Sequence, residues 1–159
     1  MRRVVALLME NQPGALSRVV GLFSQRGYNI ESLIVAPTED PSLSRLTMTT
    51  EGSAKIIEQI TKQLNKLIDV VKVIDLSEEN YIGRELLLIK LELTTEVEEK
   101  VKELDGEIIF INDNLLNAEF VGNSEDLDRI VTTLTKFNPL EVVRTGISGI
   151  SSNLKTLSI

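Results

Sequence analysis

The residues best suited to chemistry lie in one short segment, where an apolar run from Val4 to Met9 gives way to a helical pattern beyond Asn11. Pro13 suits the first position of a helix, because its fixed φ fits and its missing N–H would have no partner there. Gly14 leaves the first turn without a side chain, so the free N–H groups and the helix dipole form an anion site. Asn11 adds an amide oxygen that can accept from an ammonium group. Together these groups suit an amino acid, although a Pro-Gly pair can also do no more than begin a helix.

Residue types for a catalytic centre are scarce in the rest of the chain. The sequence has no His and no Cys, which removes the commonest general base, the commonest transition-metal ligand and any thiolate. A row of carboxylates indicates a solvated helix face: Glu96, Glu98, Glu99 and Glu103. The Gly-rich segment 146–149 follows the last predicted strand and lacks the Lys of a phosphate-binding loop. The sequence therefore predicts no catalytic residue, no metal site and no cofactor in this chain.

The charge pattern argues against nucleic acid and anionic membrane as partners. The 159 residues include 17 Lys and Arg against 24 Asp and Glu, a net charge of −7 at pH 7. Residues 1–80 carry −1 and residues 81–159 carry −6, which favours two units with different surfaces. The apolar run after Arg3 is too short for a signal peptide or a membrane span. A cytoplasmic protein is therefore expected.

The helices and strands that must position these residues occur twice in the same order. Hydrophobic periodicity predicts β-α-β-β-α-β over residues 3–75, with the first helix at 13–26. Residues 85–145 repeat the order, with a shorter first helix and no Pro-Gly pair before it. The pattern predicts an α+β fold of two tandem ferredoxin-like units, at 1–77 and 84–159, joined by a linker at 78–83. The Ser- and Asn-rich end from 148 is predicted to be a loose tail.

One family shares the motif at the first helix. The segment Asn11-x-Pro13-Gly14-x-Leu16, followed by Phe23, Gly27, Tyr28-Asn29-Ile30 and Ser32, resembles an ACT domain, a small amino-acid-sensing module. The longer run to Leu46-Thr47-Met48 is similar to the small, regulatory subunit of acetohydroxyacid synthase (acetolactate synthase). The similarity is close over residues 1–80 and weaker beyond, where Val143-Arg144-Thr145-Gly146 also resembles that family. The resemblance implies an N-terminal ACT domain and a C-terminal ACT-like domain.

The resemblance also implies an effector site between two ACT domains that pack side by side, with valine as the usual effector. The implied effector-binding residues of this sequence are Asn11, Gly14, Ala15, Leu16, Asn29, Ile30, Val35 and Ala36. Asn11 and the amides of 14–16 would hold the charged ends, and Asn29 and Ile30 would come from the neighbouring protomer. Val35 and Ala36 would shape a small apolar pocket. The residues leave open the preference among valine, leucine and isoleucine.

A partner enzyme follows from the same resemblance. The regulatory subunit would be a non-catalytic homodimer that activates a large catalytic subunit and confers feedback inhibition in branched-chain amino-acid biosynthesis. Thiamine diphosphate, Mg and FAD would belong to that catalytic partner. A free-standing ACT-domain sensor that regulates another enzyme or a transcription factor is the alternative. RNA-binding domains share the strand order, but they need aromatic residues on the sheet, and aromatics make up only 4% of this chain.

Overall fold

The computed structural model describes residues 2–78 and 80–157. In chain order its elements are β1 (Arg2–Glu10), α1 (Ala15–Gln25), β2 (Ile30–Pro37), β3 (Leu43–Glu51), α2 (Ala54–Leu64), β4 (Val70–Asp75), a 3-10 turn (Leu76–Glu78), β5 (Tyr81–Glu92), α3 (Thr95–Glu103), β6 (Glu107–Asn112), β7 (Leu115–Gly122), α4 (Ser124–Thr135), β8 (Glu141–Arg144) and β9 (Ser148–Ser151). Residues Gly83–Thr145 form one compact unit, and the described residues before and after that range form the other. No helix in these described ranges is long and apolar enough to cross a membrane.

The first unit is built on an antiparallel sheet with the strand order β2-β3-β1-β4. Val5, Leu7 and Met9 face α1 and α2, and their side chains are fully or almost fully buried. Val4 and Leu8 point to the opposite face, yet they are 2% and 5% exposed. An apolar run without alternation is therefore explained by a sheet that is covered on both faces.

The second cover of this sheet is the C-terminal segment, which corrects the prediction of a loose tail from residue 148. Residues 148–151 form β9, and the amide of Ser152 just after it donates to the carbonyl of Asn80 at 3.1 Å. Ile147 and Leu157 are each 5% exposed and pack in one cluster with Val4 and Leu8. Residues 148–157 pack on the sheet, because the buried side chains of Ile147 and Leu157 remove the outer face of β1 from water. The last two positions of the predicted tail, 158 and 159, lie outside the described residues.

The predicted linker at 78–83, of which residue 79 lies outside the described residues, also differs in the structure. The segment Leu76–Glu78 forms a 3-10 turn, and β5 already begins at Tyr81. The tail from Gly146 belongs by its contacts to the first unit, whereas the sequence pattern assigned residues 84–159 to the second. Strand pairing between distant parts of the chain accounts for this difference, because composition does not reveal such pairing.

The second unit has the sheet order β6-β7-β5-β8, with α3 and α4 packed on one face. Along β5, Leu87, Ile89 and Leu91 are 0–2% exposed, whereas Leu88 between them is 37% exposed. This alternation is typical of a sheet with one covered face. The two units together confirm the predicted α+β fold of tandem ferredoxin-like βαββαβ units.

Each helix of the second unit is capped by the side chain of the residue just before it. Thr94 caps α3, and its hydroxyl accepts from the backbone N–H of Val97 at 3.1 Å. Asn123 caps α4, and its Oδ1 accepts from the backbone N–H of Asp126 at 2.8 Å. Side-chain capping of this kind satisfies one of the orphan amides at each helix start.

Arg144, in the motif noted near the end of the chain, joins three elements of the second unit. Its Nε donates to the buried carboxylate of Glu85 on β5 at 2.5 Å. Its Nη1 donates to Asp128 on α4 at 2.5 Å, and its Nη2 to the carbonyl of Ser124 at 3.0 Å. The guanidinium therefore fixes α4 against β5 and β8, because one planar group satisfies three acceptors.

Candidate ligand-binding site

The loop between β1 and α1 is anchored at its first two residues. The amide of Glu10 donates to the carbonyl of Asp69 at 2.8 Å, and the amide of Asn11 donates to the carbonyl of Ser42 at 2.7 Å. These bonds connect the loop to the starts of β4 and β3. The loop is therefore held by the sheet, so a ligand that binds here meets a positioned backbone.

Gly14 is the N-cap of α1, with φ of 89° and ψ of −16°. The helix begins at Ala15, so the prediction that Pro13 takes the first helical position is wrong by two residues. A positive φ of this size is strained for any residue with a Cβ, which explains the glycine. No side chain among the described residues caps this helix, so its first turn keeps amides without an intrahelical partner.

The amides of this first turn are not equivalent. The amide of Ala15 donates to the carbonyl of Gln12 at 3.2 Å, and the carbonyl of Gly14 accepts from Arg18 at 3.0 Å. The amide of Leu16 precedes the first intrahelical bond, so helix geometry leaves it available for an acceptor. Of the three amides expected to bind an anion, that of Leu16 is therefore the one most open to a ligand.

Asn11 is oriented by one hydrogen bond of its side chain. Its Nδ2 donates to the carbonyl of Pro41 at 3.0 Å. No residue in the described ranges donates to its Oδ1, and the residue is exposed. This oxygen is available to accept from an ammonium group, so the assignment of Asn11 to an effector site stays a prediction.

Arg18 is a charged group at this site that the sequence prediction missed. Its Nε donates to Oδ2 of Asp69, and its Nη2 donates to Oδ1 at 2.8 Å. The Nη1 atom lies 3.2 Å from the position that a Cβ on Gly14 would occupy. A guanidinium therefore stands beside the open helix start and adds positive charge where an anion would bind.

Asp69 holds this guanidinium in place. Its side chain is 6% exposed, whereas that of Arg18 is 48% exposed. The hydrogen bonds from Arg18 hold the pKa of the Asp69 carboxyl below its usual range, so the pair stays ionised at neutral pH. The spacing of Arg18 from Gly14, one helical turn, is a signal that could have identified it.

The remaining predicted residues lie on or beside β2, at the edge of the sheet next to β3. Ala36 pairs with Arg45 of β3, which in turn pairs with Leu8 near the end of β1. Val35 lies beside Ala36 and is 39% exposed. Val35 and Ala36 are therefore at the same end of the sheet as the loop that carries Asn11.

Asn29 and Ile30 lie at the opposite end of this sheet. Ile30 pairs with Thr50, which pairs with Arg3 at the start of β1. The carbonyl of Asn29 accepts from the hydroxyl of Thr50 at 2.5 Å. Ala36 follows Ile30 by six positions along β2, so the two residues are about 20 Å apart at a rise of about 3.3 Å per residue. A single chain therefore does not bring all eight predicted residues together.

The described residues contain no group of three or more acidic side chains that could hold a metal ion. The chemistry available at the loop is instead that of hydrogen bonding and charge. It offers an open helix start, a half-exposed guanidinium and an amide oxygen. A ferredoxin-like unit with such a loop after its first strand is the arrangement that the sequence resemblance to an ACT domain implies.

The comparisons with known proteins identify the family. Residues 5–72 match the model of the AHAS small subunit-like ACT domain, and residues 84–153 match that of the small subunit of acetolactate synthase. The chain therefore belongs to the family of acetolactate synthase small subunits, and the resemblance read from its sequence is confirmed.

Individual relatives cover almost the whole chain. It is 45% identical to the acetolactate synthase isozyme 3 small subunit of Salmonella typhimurium, over 99% of both chains. It is 44% identical, over the same shares, to the protein of that name from Escherichia coli. The crystal structure of the acetolactate synthase small subunit from Thermotoga maritima has a TM-score of 0.86 and 35% identity, over 94% of this chain and 96% of that one.

Proposed function

We propose that this chain is the regulatory subunit of an acetohydroxyacid synthase, that it activates the catalytic subunit, and that it makes that enzyme sensitive to valine. The observation that carries the proposal is the open, cation-flanked helix start at Gly14 in a chain of the small-subunit family. The thiamine diphosphate, Mg and FAD of the synthase reaction would bind to the catalytic subunit, and this chain would provide the effector site.

The proposed pose of valine follows from the loop. Its carboxylate accepts from the amide of Leu16 and from Nη1 of Arg18, both of which face the open end of α1. Its ammonium donates to Oδ1 of Asn11, whose Nδ2 already donates to the carbonyl of Pro41. The side chain of valine then needs an apolar wall, and the half-exposed Val35 at this end of the sheet is a candidate for it.

A second copy of the chain would complete the site. β2 is the last strand of its sheet and has an unpaired outer edge, which invites pairing with another strand. In an antiparallel pairing of two β2 strands centred near Leu33, residues 29–30 of one copy lie opposite residues 36–37 of the other. This arrangement supports the assignment of Asn29 and Ile30 to the site through the partner subunit.

We expect the protein to be at least a dimer, and valine to tighten that dimer. A ligand that binds only the assembled state stabilises it by about 2.7 kcal/mol at 100 times its dissociation constant. Light scattering of a dilution series with and without valine measures the effect. A monomer under both conditions at micromolar concentration would contradict the two-copy site.

Reconstitution with the catalytic subunit tests the proposed activity. The isolated chain should form no acetolactate from pyruvate, because we assign it no catalytic residue. Added to the catalytic subunit, it should raise the rate, and valine should then lower that rate. An unchanged rate in a mixture that contains the bound chain would exclude this function and favour a free-standing amino-acid sensor.

A further inference from the structure

A cavity of about 570 Å³ lies in the first unit between the outer face of its sheet and the C-terminal tail. It is on the face of the sheet opposite α1. Its apolar walls come from both the sheet and the tail: Leu8, Ile74, Leu76, Ile150 and Leu157. The volume suffices for a small organic molecule. The proposed valine pose does not use this space.

Arg45 on β3 lines the cavity and lies beside its apolar wall, because it pairs across the strands with Leu8. Its Nη2 donates to the carbonyl of Gly149 in the tail at 2.5 Å. Within residues 2–78 and 80–157 no carboxylate lies within 4.0 Å of this guanidinium, whereas Arg18 and Arg144 each pair with a buried carboxylate. Arg45 is therefore a half-buried cation that has no carboxylate partner within the described part of the chain.

The other charged side chains at the cavity already have hydrogen-bond or ion-pair partners, or are exposed to solvent. Lys155 pairs with Glu78 at 3.1 Å. The carboxylate of Asp40 accepts from the amide of Ser42 at 2.9 Å and from its hydroxyl at 2.7 Å. Burial lowers the pKa of Arg45, and no acidic group among the described residues offsets this effect. Partial burial of a cation without a carboxylate partner costs free energy, so an anionic ligand would gain by binding there.

We propose that this cavity binds a small aliphatic monocarboxylate, with its carboxylate on Arg45 and its body against Leu8, Ile74 and Leu157. One negative charge fits better than two, because the exposed carboxylates of Glu39 and Asp40 line the same cavity and repel a dianion. An aliphatic body is required because the walls are apolar. The bound molecule would also contact the tail, since Leu157 forms part of the wall.

A pair of matched probes tests this site in the full-length chain. 3-Methylbutanoate carries the carboxylate, and 3-methylbutanamide has almost the same shape without the charge. Methyl NMR should show shifts at Leu8, Ile74 and Leu157 on titration. The acid should bind at least about tenfold more tightly than the amide, because a charge-assisted bond to the guanidinium is lost in the amide.

Arg45→Gln should remove the preference for the acid. Arg84→Gln is the control, because Arg84 is exposed and its side chain also donates to a backbone carbonyl, that of Gly83. This control should keep the wild-type preference. Equal affinity of acid and amide for the wild-type chain would overturn the proposal, as would methyl shifts confined to the Gly14 loop. The wild-type comparison decides the matter even where Arg45→Gln fails to fold.

Discussion

The Gly14→Asp variant is expected to lose its valine response while it still activates the catalytic subunit. The new carboxylate would lie beside Nη1 of Arg18, since a Cβ on Gly14 is 3.2 Å from that atom. It would therefore occupy the position proposed for the carboxylate of valine and pair with the same cation. The φ of 89° adds strain of about 1–2 kcal/mol for any residue other than glycine.

The expected loss of affinity exceeds tenfold. Two charge-assisted hydrogen bonds to the ligand carboxylate, at about 1.5–3 kcal/mol each, would be replaced by repulsion between like charges. Calorimetric titration of valine into the wild-type and variant chains measures this difference directly. The reconstituted synthase assay then shows whether activation survives.

Gly21→Asp provides a control on the same helix. Gly21 lies in the interior of α1, and a Cβ there would meet nothing within 4 Å. The substitution adds the same charge without filling the loop, so valine should bind as it does to the wild-type chain. If Gly14→Asp binds valine as tightly as this control, the helix start is not the effector site.

The local pattern of the sequence was sufficient to predict the repeated fold and the loop. The apolar run at Val4–Met9 and the Asn-x-Pro-Gly segment locate β1, the loop and α1 without tertiary information. Helix boundaries shifted by one or two residues, because capping depends on side-chain geometry that spacing does not fix. Gly27 of the family motif lies just past α1, where its φ is 68° and its amide donates to the carbonyl of Ser24 at 3.2 Å.

Contacts between distant residues set the limit of the sequence prediction. Asp69 lies 51 residues from Arg18, and nothing in the local pattern of either residue predicts that they pair. The same holds for the tail, where the apolar residues of a Ser- and Asn-rich segment gave no periodic signal. The available hint was the continuous apolar run at Val4–Met9, because a strand with one exposed face would alternate apolar and polar residues.

The Leu157→Ala variant is expected to destabilise the first unit by about 2–5 kcal/mol, the usual cost of truncating a buried Leu to Ala. Leu157 is 5% exposed and packs with Val4, Ala6 and Leu8, so its loss leaves a cavity against β1. Denaturant unfolding measures the free energy change, and amide exchange assigns it to β1 rather than to the second unit.

Leu154→Ala is the matched control, because Leu154 lies three residues earlier in the same tail and is 99% exposed. Its substitution should change the free energy of unfolding by less than about 0.5 kcal/mol. The contrast between two identical substitutions isolates burial as the cause. Equal stability of the two variants, with unchanged exchange at Val4 and Ala6, would show that the tail does not stabilise the sheet. A loss in Leu157→Ala alone would establish the tail as part of the first unit's core.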